Sequence, residues 1–215
     1  VFPPGCGCKD TMENLGALAI LLAFCFAVYA LIGSIVGRLS RRPFLIQSGQ
    51  RAVYTVWALV TVAAGSLIYS IIAGDYRLAY VWETSNKTMP IQYKFAAWWG
   101  GQEGSLLLWS WLLSAFSSIV VWTNRRKFRD MMPYVVAVLM LNLAFFITLN
   151  FFLSNPFNQL VQVNADGSMQ RFLPRDGRGL NPLLQYWAMV IHPPILYLGF
   201  IGFVVGLVRD TPGQA

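Results

Sequence analysis

Charged side chains are scarce in this chain. They make up 12% of its 215 residues, against 56% for hydrophobic residues, whereas an ordinary soluble domain has about 25% charged residues. The mean hydropathy is correspondingly positive, at +0.53. This balance excludes an ordinary soluble domain and predicts an integral membrane protein.

Cysteine and histidine are scarcer still, with three cysteines and one histidine. Cys6 and Cys8 are separated by one residue before the first apolar run, and the pair is compatible with either a disulfide or a metal site. Two thiolates alone fall short of the four ligands that a structural zinc usually takes. Cys25 lies inside the apolar run, where packing is the simpler role.

The hydrophobic residues are grouped in runs long enough to cross a membrane. A helix needs roughly 20 apolar residues to span about 30 Å of hydrocarbon. Five stretches qualify, at 15–36, 52–73, 105–122, 134–153 and 186–208. Without an internal repeat or a low-complexity linker, residues 12–215 are predicted to form a single membrane domain. The expected fold class is all-α, a polytopic transmembrane helical bundle of about five spanning helices.

Acidic residues are few, and the net charge is +7. Such a charge is compatible with a nucleic-acid partner, but the cations collect in two short connections, which is the positive-inside pattern. The pattern places these loops in the cytoplasm or the mitochondrial matrix, the N-terminus outside and the C-terminus inside, and it predicts no nucleic-acid partner. Residues 1–11 are then an outer-side extension, which is not native if the natural start is Met12. The basic residues are Arg38, Arg41, Arg42 and Arg51 after the first span, and Arg125, Arg126, Lys127 and Arg129, with the acid Asp130, after the third.

Two longer loops are predicted on the outer side. The first, 74–104, is rich in aromatic residues, as expected at a membrane interface. The second, 154–185, is polar and has the basic residues Arg171, Arg175 and Arg178. A loop of this length is usually functional. Its cations suit carboxylates or propionates, and a solvated turn beside lipid headgroups explains them equally well.

A glycine-rich motif lies where the first outer loop enters the third span. Its sequence is Trp98-Trp99-Gly100-Gly101-Gln102-Glu103-Gly104. Glycines permit tight turns and close backbone approach, and a carboxylate near a helix N-terminus is favoured by the macrodipole and can cap free amides. A structural cap and a docking surface with stacking indoles are both open.

The second motif contains the only histidine, in His192-Pro193-Pro194 at the entrance of the last span. An imidazole at a lipid boundary needs a partner, because hydrocarbon supplies none. The prolines either leave carbonyls of the preceding turn free or place His192 near the helix N-cap at the outer face. Such an imidazole is a good axial ligand for haem iron, and a hydrogen bond to a neighbouring helix is the alternative.

The two motifs together resemble the N-terminal part of the CcmF-type cytochrome c haem lyases. The resemblance extends from about Met12 to the end of the chain. It is carried by Trp99-Gly100-Gly101-Gln102-Glu103-Gly104-Ser105-Leu106-Leu107-Leu108-Trp109 and by the segment from Gly179-Leu180-Asn181-Pro182 to His192-Pro193-Pro194-Ile195-Leu196-Tyr197. Members of this family join haem to the Cys-x-x-Cys-His motif of apocytochrome c by thioether formation. The resemblance implies that His192 is an axial ligand to the transferred haem b.

The resemblance also implies the surroundings of this chemistry. The partners would be a haem chaperone of the CcmE type, apocytochrome c, a CcmH-type thiol reductase or assembly subunit, and membrane lipid. The location would be the bacterial cytoplasmic (inner) membrane, with the site facing the periplasm, or the mitochondrial inner membrane. Further haem contacts are expected from Trp98, Trp99, Arg175 and Arg178, supported by the motif residues Gly100, Gly101, Gln102, Glu103, Gly104, Asn181, Pro182, Pro193, Pro194 and Tyr197.

The sequence departs from the family pattern in ways that limit this expectation. Family members are far longer, with a tryptophan-rich outer motif, a second outer histidine and two membrane histidines that bind a resident haem. This sequence has only His192, and it has Gln102 where many relatives have histidine. The second haem ligand is therefore absent from this chain. We expect a fragment or a split-gene subunit that is inactive alone.

Two other functions remain open. One is a subunit of a transporter or respiratory complex, in which His192 gates protons or packs against a neighbour. The other is an assembly module that binds maturation partners without touching haem.

Overall fold

A computed structural model describes residues 6–125, 128–163, 169–172 and 174–209 of the chain. Within these ranges it does not describe the side chains at 6–13, 162–163, 169–171, 189 and 203–209. The predictions for Arg126 and Lys127, for the thiols of Cys6 and Cys8 and for the Arg171 side chain therefore lie outside the described residues, as does most of the predicted extension 1–11.

The described chain is mostly helical, which confirms the predicted all-α class. Its helices are α1 (Cys6–Leu39), α2 (Pro43–Ala73), α3 (Ala79–Thr84), α4 (Ile91–Ala96), α5 (Gln102–Asn124), α6 (Met132–Thr148) and α7 (Trp187–Arg209). Short 3-10 segments lie at Ala97–Trp99 and Pro182–Leu184, and a π-helical turn, Leu149–Leu153, extends α6. The only strands in the described ranges, β1 (Val161–Val163) and β2 (Met169–Arg171), form an antiparallel hairpin that the sequence did not predict.

Four helices in the described part are long and apolar enough to cross a membrane: Asn14–Leu39, Pro43–Ala73, Gln102–Asn124 and Met132–Leu153. The described apolar stretch of α7, Val190–Gly202, is shorter. The helix ends follow local sequence rules. Pro43 begins α2, and Gly74 ends it in a left-handed conformation, φ 65°, which suits a residue without a Cβ.

Small residues on α1 form the side of the core that packs against α2 and α6. Ala19, Ala23, Ala27 and Ala30 repeat at helical spacing and are almost fully buried. Small side chains let helix backbones approach closely, which is how helices associate in lipid. Large apolar side chains such as those of Leu18 and Ile32 point outward and are exposed, as expected for a lipid-facing surface.

The two ends of the bundle differ in character. At one end, Arg38 at the end of α1 contacts Asp130 before α6 at 3.4 Å. At the opposite end the two long loops lie together. Leu78 forms an isolated antiparallel β-bridge with Gln159, and the Ala79 amide donates a hydrogen bond to the Asn158 carbonyl at 2.9 Å. The short basic connections therefore meet at one end, and both candidate motifs lie at the other.

Two local expectations are corrected by the helix bounds. The N-cap of α5 is Gly101, which has no side-chain cap, so Glu103 lies in the first turn without capping it. His192 is the sixth residue of α7, and both prolines lie inside the helix. The expectation of His192 near the N-cap is therefore wrong, and the prolines instead deprive the carbonyls of Met189 and Val190 of their helical partners.

Candidate functional site

The glycine-rich motif is organised around a buried tyrosine that the sequence analysis did not single out. Tyr80, on α3, is 4% exposed. Its hydroxyl donates a hydrogen bond shared between the Ala97 carbonyl, at 2.9 Å, and the Trp98 carbonyl, at 3.0 Å. The same hydroxyl accepts a hydrogen bond from the Gly101 amide at 3.2 Å. Burial raises the pKa of Tyr80, so the phenol stays a neutral donor. The hydroxyl thus ties α3 to the turn that leads into α5.

The glycines of the motif allow this tight arrangement. A Cβ on Gly104 would overlap the Trp98 carbonyl oxygen and the Tyr80 hydroxyl. A Cβ on Gly100 would overlap the side chain of Leu180, which belongs to the second motif. The motif therefore needs glycine for close approach, rather than for an unusual backbone angle.

The two tryptophans of the motif have different environments. Trp98 is 6% exposed and packs edge-on against Trp111, with centroids 6.0 Å apart. Trp99 is half-buried and meets Phe95 edge-on at 5.6 Å. Trp98 is therefore part of the packed interior, and Trp99 retains accessible surface. Their predicted contacts with a flat ligand stay predictions.

The second outer loop is fastened to α3 by its Arg-Asp-Gly-Arg segment. The guanidinium of Arg178 lies over the Trp82 ring, 4.6 Å from its centroid, and the Arg178 amide donates to the Trp82 carbonyl at 2.7 Å. Asp176 accepts from the amides of Lys87 at 2.9 Å and Gly177 at 2.8 Å, and these bonds lower the pKa of its carboxyl group. Arg175 is exposed, and no ion pair to it occurs within the described ranges. Of the two predicted cations, Arg178 already has an aromatic partner and Arg175 extends into solvent.

The Asn181-Pro182 turn positions the start of the second motif. The Asn181 carboxamide oxygen accepts from the Leu183 amide at 3.0 Å and so caps the 3-10 segment. Gln185 donates to the Leu180 carbonyl at 2.8 Å. Asn181 also lines a cavity of about 350 Å³, together with Gln102 and Glu103. The turn therefore fixes Leu180 against the glycine motif and leaves a polar cavity beside it.

The two motifs meet at the first turns of α7. A small cavity of about 20 Å³ is lined by Trp99 and Gly100 of the first motif and by Leu180 and Pro193 of the second. Further along, Tyr197 packs on Trp109 of α5, with centroids 4.9 Å apart. The two motifs are far apart in sequence, and folding brings them together at one end of the bundle.

His192 lies on the side of α7 that faces away from this contact. Its side chain is exposed, and the structure gives it no hydrogen bond to any residue that it describes. One and two turns along the same face, Ile195 is 61% exposed and a Cβ on Gly199 would meet nothing within 4 Å. The imidazole is therefore accessible, on an open apolar helix face.

The Tyr80 hydroxyl gives a first testable prediction. We expect Tyr80→Phe to lower the free energy of unfolding by about 1–3 kcal/mol, because it removes the buried hydrogen bonding to the Ala97 and Trp98 carbonyls and leaves the part-buried Gly101 amide without its partner. Denaturant titration in detergent micelles measures this change. Tyr69→Phe is the matched control, since Tyr69 is 48% exposed on α2. Equal stability of the two variants would contradict the role of the hydroxyl.

Comparison with known proteins places these motifs in a family. The family described as "Cytochrome C assembly protein" matches residues 99–209, which include both motifs. The chain is 35% identical over 195 residues to the cytochrome c-type biogenesis protein CcmF of Pseudomonas fluorescens, covering 90% of this chain and 28% of that protein. It is 33% identical over 194 residues to the cytochrome c-type biogenesis protein NrfE of Haemophilus influenzae, covering 90% of this chain and 29% of that protein.

A solved structure has the same fold. A chain described as "Cytochrome c Heme Lyase CcmF" superposes with a TM-score of 0.73 at 22% identity, over 92% of this chain and 29% of that one. This chain thus spans less than a third of the length of these relatives. Its four described helices of spanning length and these similarities identify a multi-pass membrane protein. Because the family match covers just over half of the chain, the protein belongs to the cytochrome c assembly protein family.

Proposed function

We propose that this protein acts in cytochrome c biogenesis, as part of a membrane haem lyase that joins haem to apocytochrome c. The observation that carries the proposal is the convergence of the two motifs. Tyr197 of the second motif packs on Trp109 of the first, and Trp99, Gly100 and Pro193 line one small cavity, while His192 stays exposed. An unpartnered imidazole at the end of a membrane helix is a functional candidate, and the relatives named for cytochrome c biogenesis give the chemistry.

The residues present fit one face of a haem site. His192 has an accessible ring nitrogen, the donor type that holds haem iron. Trp99 is half-buried and lines the small cavity on the other side of α7, so its role there is to support the helix that bears His192. Arg175 is an exposed cation suited to a propionate, whereas Arg178 is held on Trp82. Because His192 is the only histidine in the sequence, we propose that a second ligand comes from outside this chain.

The chemistry proposed is thioether formation. Bound haem supplies two vinyl groups, to which the two reduced thiols of apocytochrome c add. His192 would hold the iron from one face, and Trp99, on the other side of α7, would support the helix that positions this histidine. In each addition the sulfur bonds to one vinyl carbon and the thiol proton goes to the other, and these residues would contribute orientation and proximity. The packing of Tyr197 on Trp109 supports this, because it holds the helix that bears His192.

We further propose that the site faces the periplasm from the bacterial inner membrane, with the mitochondrial inner membrane as the alternative. The support is that the basic loops lie at the end opposite the motifs, and basic loops stay in the cytoplasm or matrix. The proposed partners are apocytochrome c, a CcmE-type haem chaperone and a CcmH-type subunit. The two outer loops contact each other through Arg178 and Asp176, and together they offer a surface for these partners.

Loss of the gene that encodes this chain tests the proposal. We expect c-type cytochromes to lose covalent haem, measured by haem staining of denaturing gels, while immunoblots still detect the apocytochrome polypeptide. Reintroducing the gene should restore staining. An antibody against the loop 154–185 would show on the same blots whether the native polypeptide has the mass of this chain or is several times heavier. Unchanged haem staining in the mutant would contradict the function.

A further inference from the structure

The basic end of the bundle contains a large cavity with no part in the proposed haem chemistry. Its volume is about 580 Å³, within the range of about 300–1,000 Å³ typical of small-molecule sites. Four arginines line it, and they come from three parts of the chain: Arg38 on α1, Arg51 on α2, and Arg125 and Arg129 in the α5–α6 connection. Residues distant in sequence therefore converge on one space.

The cavity has a strong excess of positive charge. Asp130 is the only acidic residue among those lining it, and it contacts Arg38 at 3.4 Å with its side chain 88% exposed. An ion pair that is this exposed and this long neutralises little of the positive charge of Arg38. In the parts of the chain that the structure describes, the other three guanidinium groups have no carboxylate partner.

A neutral donor also faces the cavity. Tyr54 of α2 lines it, and the Tyr54 hydroxyl is buried without a hydrogen-bond partner among the described residues. A buried hydroxyl without a partner is costly. Gln47 and Gln50 add amide groups to the same wall. Guanidinium, phenol and amide groups together make a donor set that suits an oxyanion.

We propose that this cavity binds a phosphate group. Guanidinium groups match phosphate oxygens in pairs, and the volume leaves room for more than one bare ion. The cavity lies at the basic end, which the positive-inside rule assigns to the membrane side where anionic headgroups face the protein. A phosphodiester lipid headgroup and a free phosphate compound share this chemistry, and the experiment separates them.

The test uses the full-length native protein, purified in a zwitterionic detergent. The probes are short-chain phosphatidylglycerol, short-chain phosphatidylcholine and inorganic phosphate, each titrated while the thermal midpoint is recorded. We expect phosphatidylglycerol to raise the midpoint and phosphatidylcholine to have no effect. An equal rise of the thermal midpoint with inorganic phosphate would still support the site and would identify a free phosphate compound as its ligand. No rise with either anionic probe would overturn it.

Two variants separate a defined site from overall charge. The double variant Arg51→Gln/Arg125→Gln should weaken binding of the effective anionic probe about 25-fold, since each cation near anionic headgroups adds about fivefold. Arg42→Gln, in the same basic loop but not among the lining residues, should bind like wild type. Tyr54→Phe removes only the hydroxyl and should weaken binding severalfold even if the double variant fails to fold. Equal loss in Arg42→Gln, or unchanged binding in Tyr54→Phe, would overturn the proposal.

Discussion

His192→Ala is expected to reduce the transferred haem bound by the full-length protein at least tenfold, above the constant background of any resident haem, while leaving its membrane insertion unchanged. The ring is the only histidine side chain of this sequence, and ligand-sphere changes typically cost at least about ten- to a hundredfold in metal affinity. The fold should not suffer, because His192 is exposed and its removal leaves no internal cavity. The measurement is the pyridine haemochrome absorbance per mole of purified protein.

The controls distinguish ligation from a general disturbance of α7. Ile195→Ala shortens a side chain on the same exposed helix face and should leave the haem content unchanged. Added imidazole should partly restore haem to His192→Ala, because free imidazole can occupy the vacated position. Full haem retention in His192→Ala, or an equal loss in Ile195→Ala, would exclude ligation by this residue. Haem loss with intact partner binding would also separate the lyase from a pure assembly module.

Helix positions were predictable because every spanning segment needs a run of roughly 20 apolar residues to cross the lipid. The predicted span 52–73 lies wholly within α2, which also ends at Ala73. The first residues of α2 escaped prediction because they are amphipathic, with Pro43 rather than apolar content marking the start. Hydropathy therefore located the helices, and local capping chemistry set their ends.

The contacts that assemble the site were not predictable from spacing. Tyr80 is one of nine tyrosines, and only the fold shows that its hydroxyl joins α3 to the turn before α5. Trp82 likewise gains its role from Arg178, about 100 residues later. Trp98 looked like an interfacial aromatic and is instead packed against Trp111. Such contacts depend on long-range placement, which composition and periodicity do not encode.

The His192 segment shows which of two local alternatives holds. Proline is favoured in a first helical turn, yet α7 begins at Trp187 and continues through both prolines, which agrees with the alternative of freed carbonyls rather than with His192 near the N-cap. Lost hydrogen bonds are tolerated in membrane helices where other groups satisfy the freed carbonyls. Val190 packs against the core, and Tyr197 packs on Trp109 of α5. Tertiary contacts of this kind hold α7 in place although its prolines break the regular hydrogen-bond pattern.

Gly104→Ala is expected to lower the free energy of unfolding by about 1–3 kcal/mol, the range typical of an overpacked site. The new methyl group would overlap the Trp98 carbonyl oxygen and the Tyr80 hydroxyl. Neither can yield easily, because one is backbone and the other is held by hydrogen bonds to Ala97 and Gly101. Denaturant titration in micelles measures the stability, and the change in tryptophan fluorescence reports on the packing of Trp98.

Gly65→Ala provides the matched control for this prediction. Gly65 also lies inside a membrane helix, but a Cβ there would meet nothing within 4 Å. Alanine in a helix interior gains up to about 1 kcal/mol over glycine, so this control should be neutral or slightly more stable. Gly104 lies in the first turn of α5 and Gly65 in the interior of α2, so the propensity gain of the control is an upper limit for Gly104→Ala. A lower stability of Gly104→Ala than of wild type therefore reports the steric overlap. If Gly104→Ala proved as stable as Gly65→Ala, the close approach of α5 to the Tyr80 hydroxyl would be wrong. If Gly104→Ala also lost haem with His192 intact, the glycine motif would be required to position α7, which bears His192.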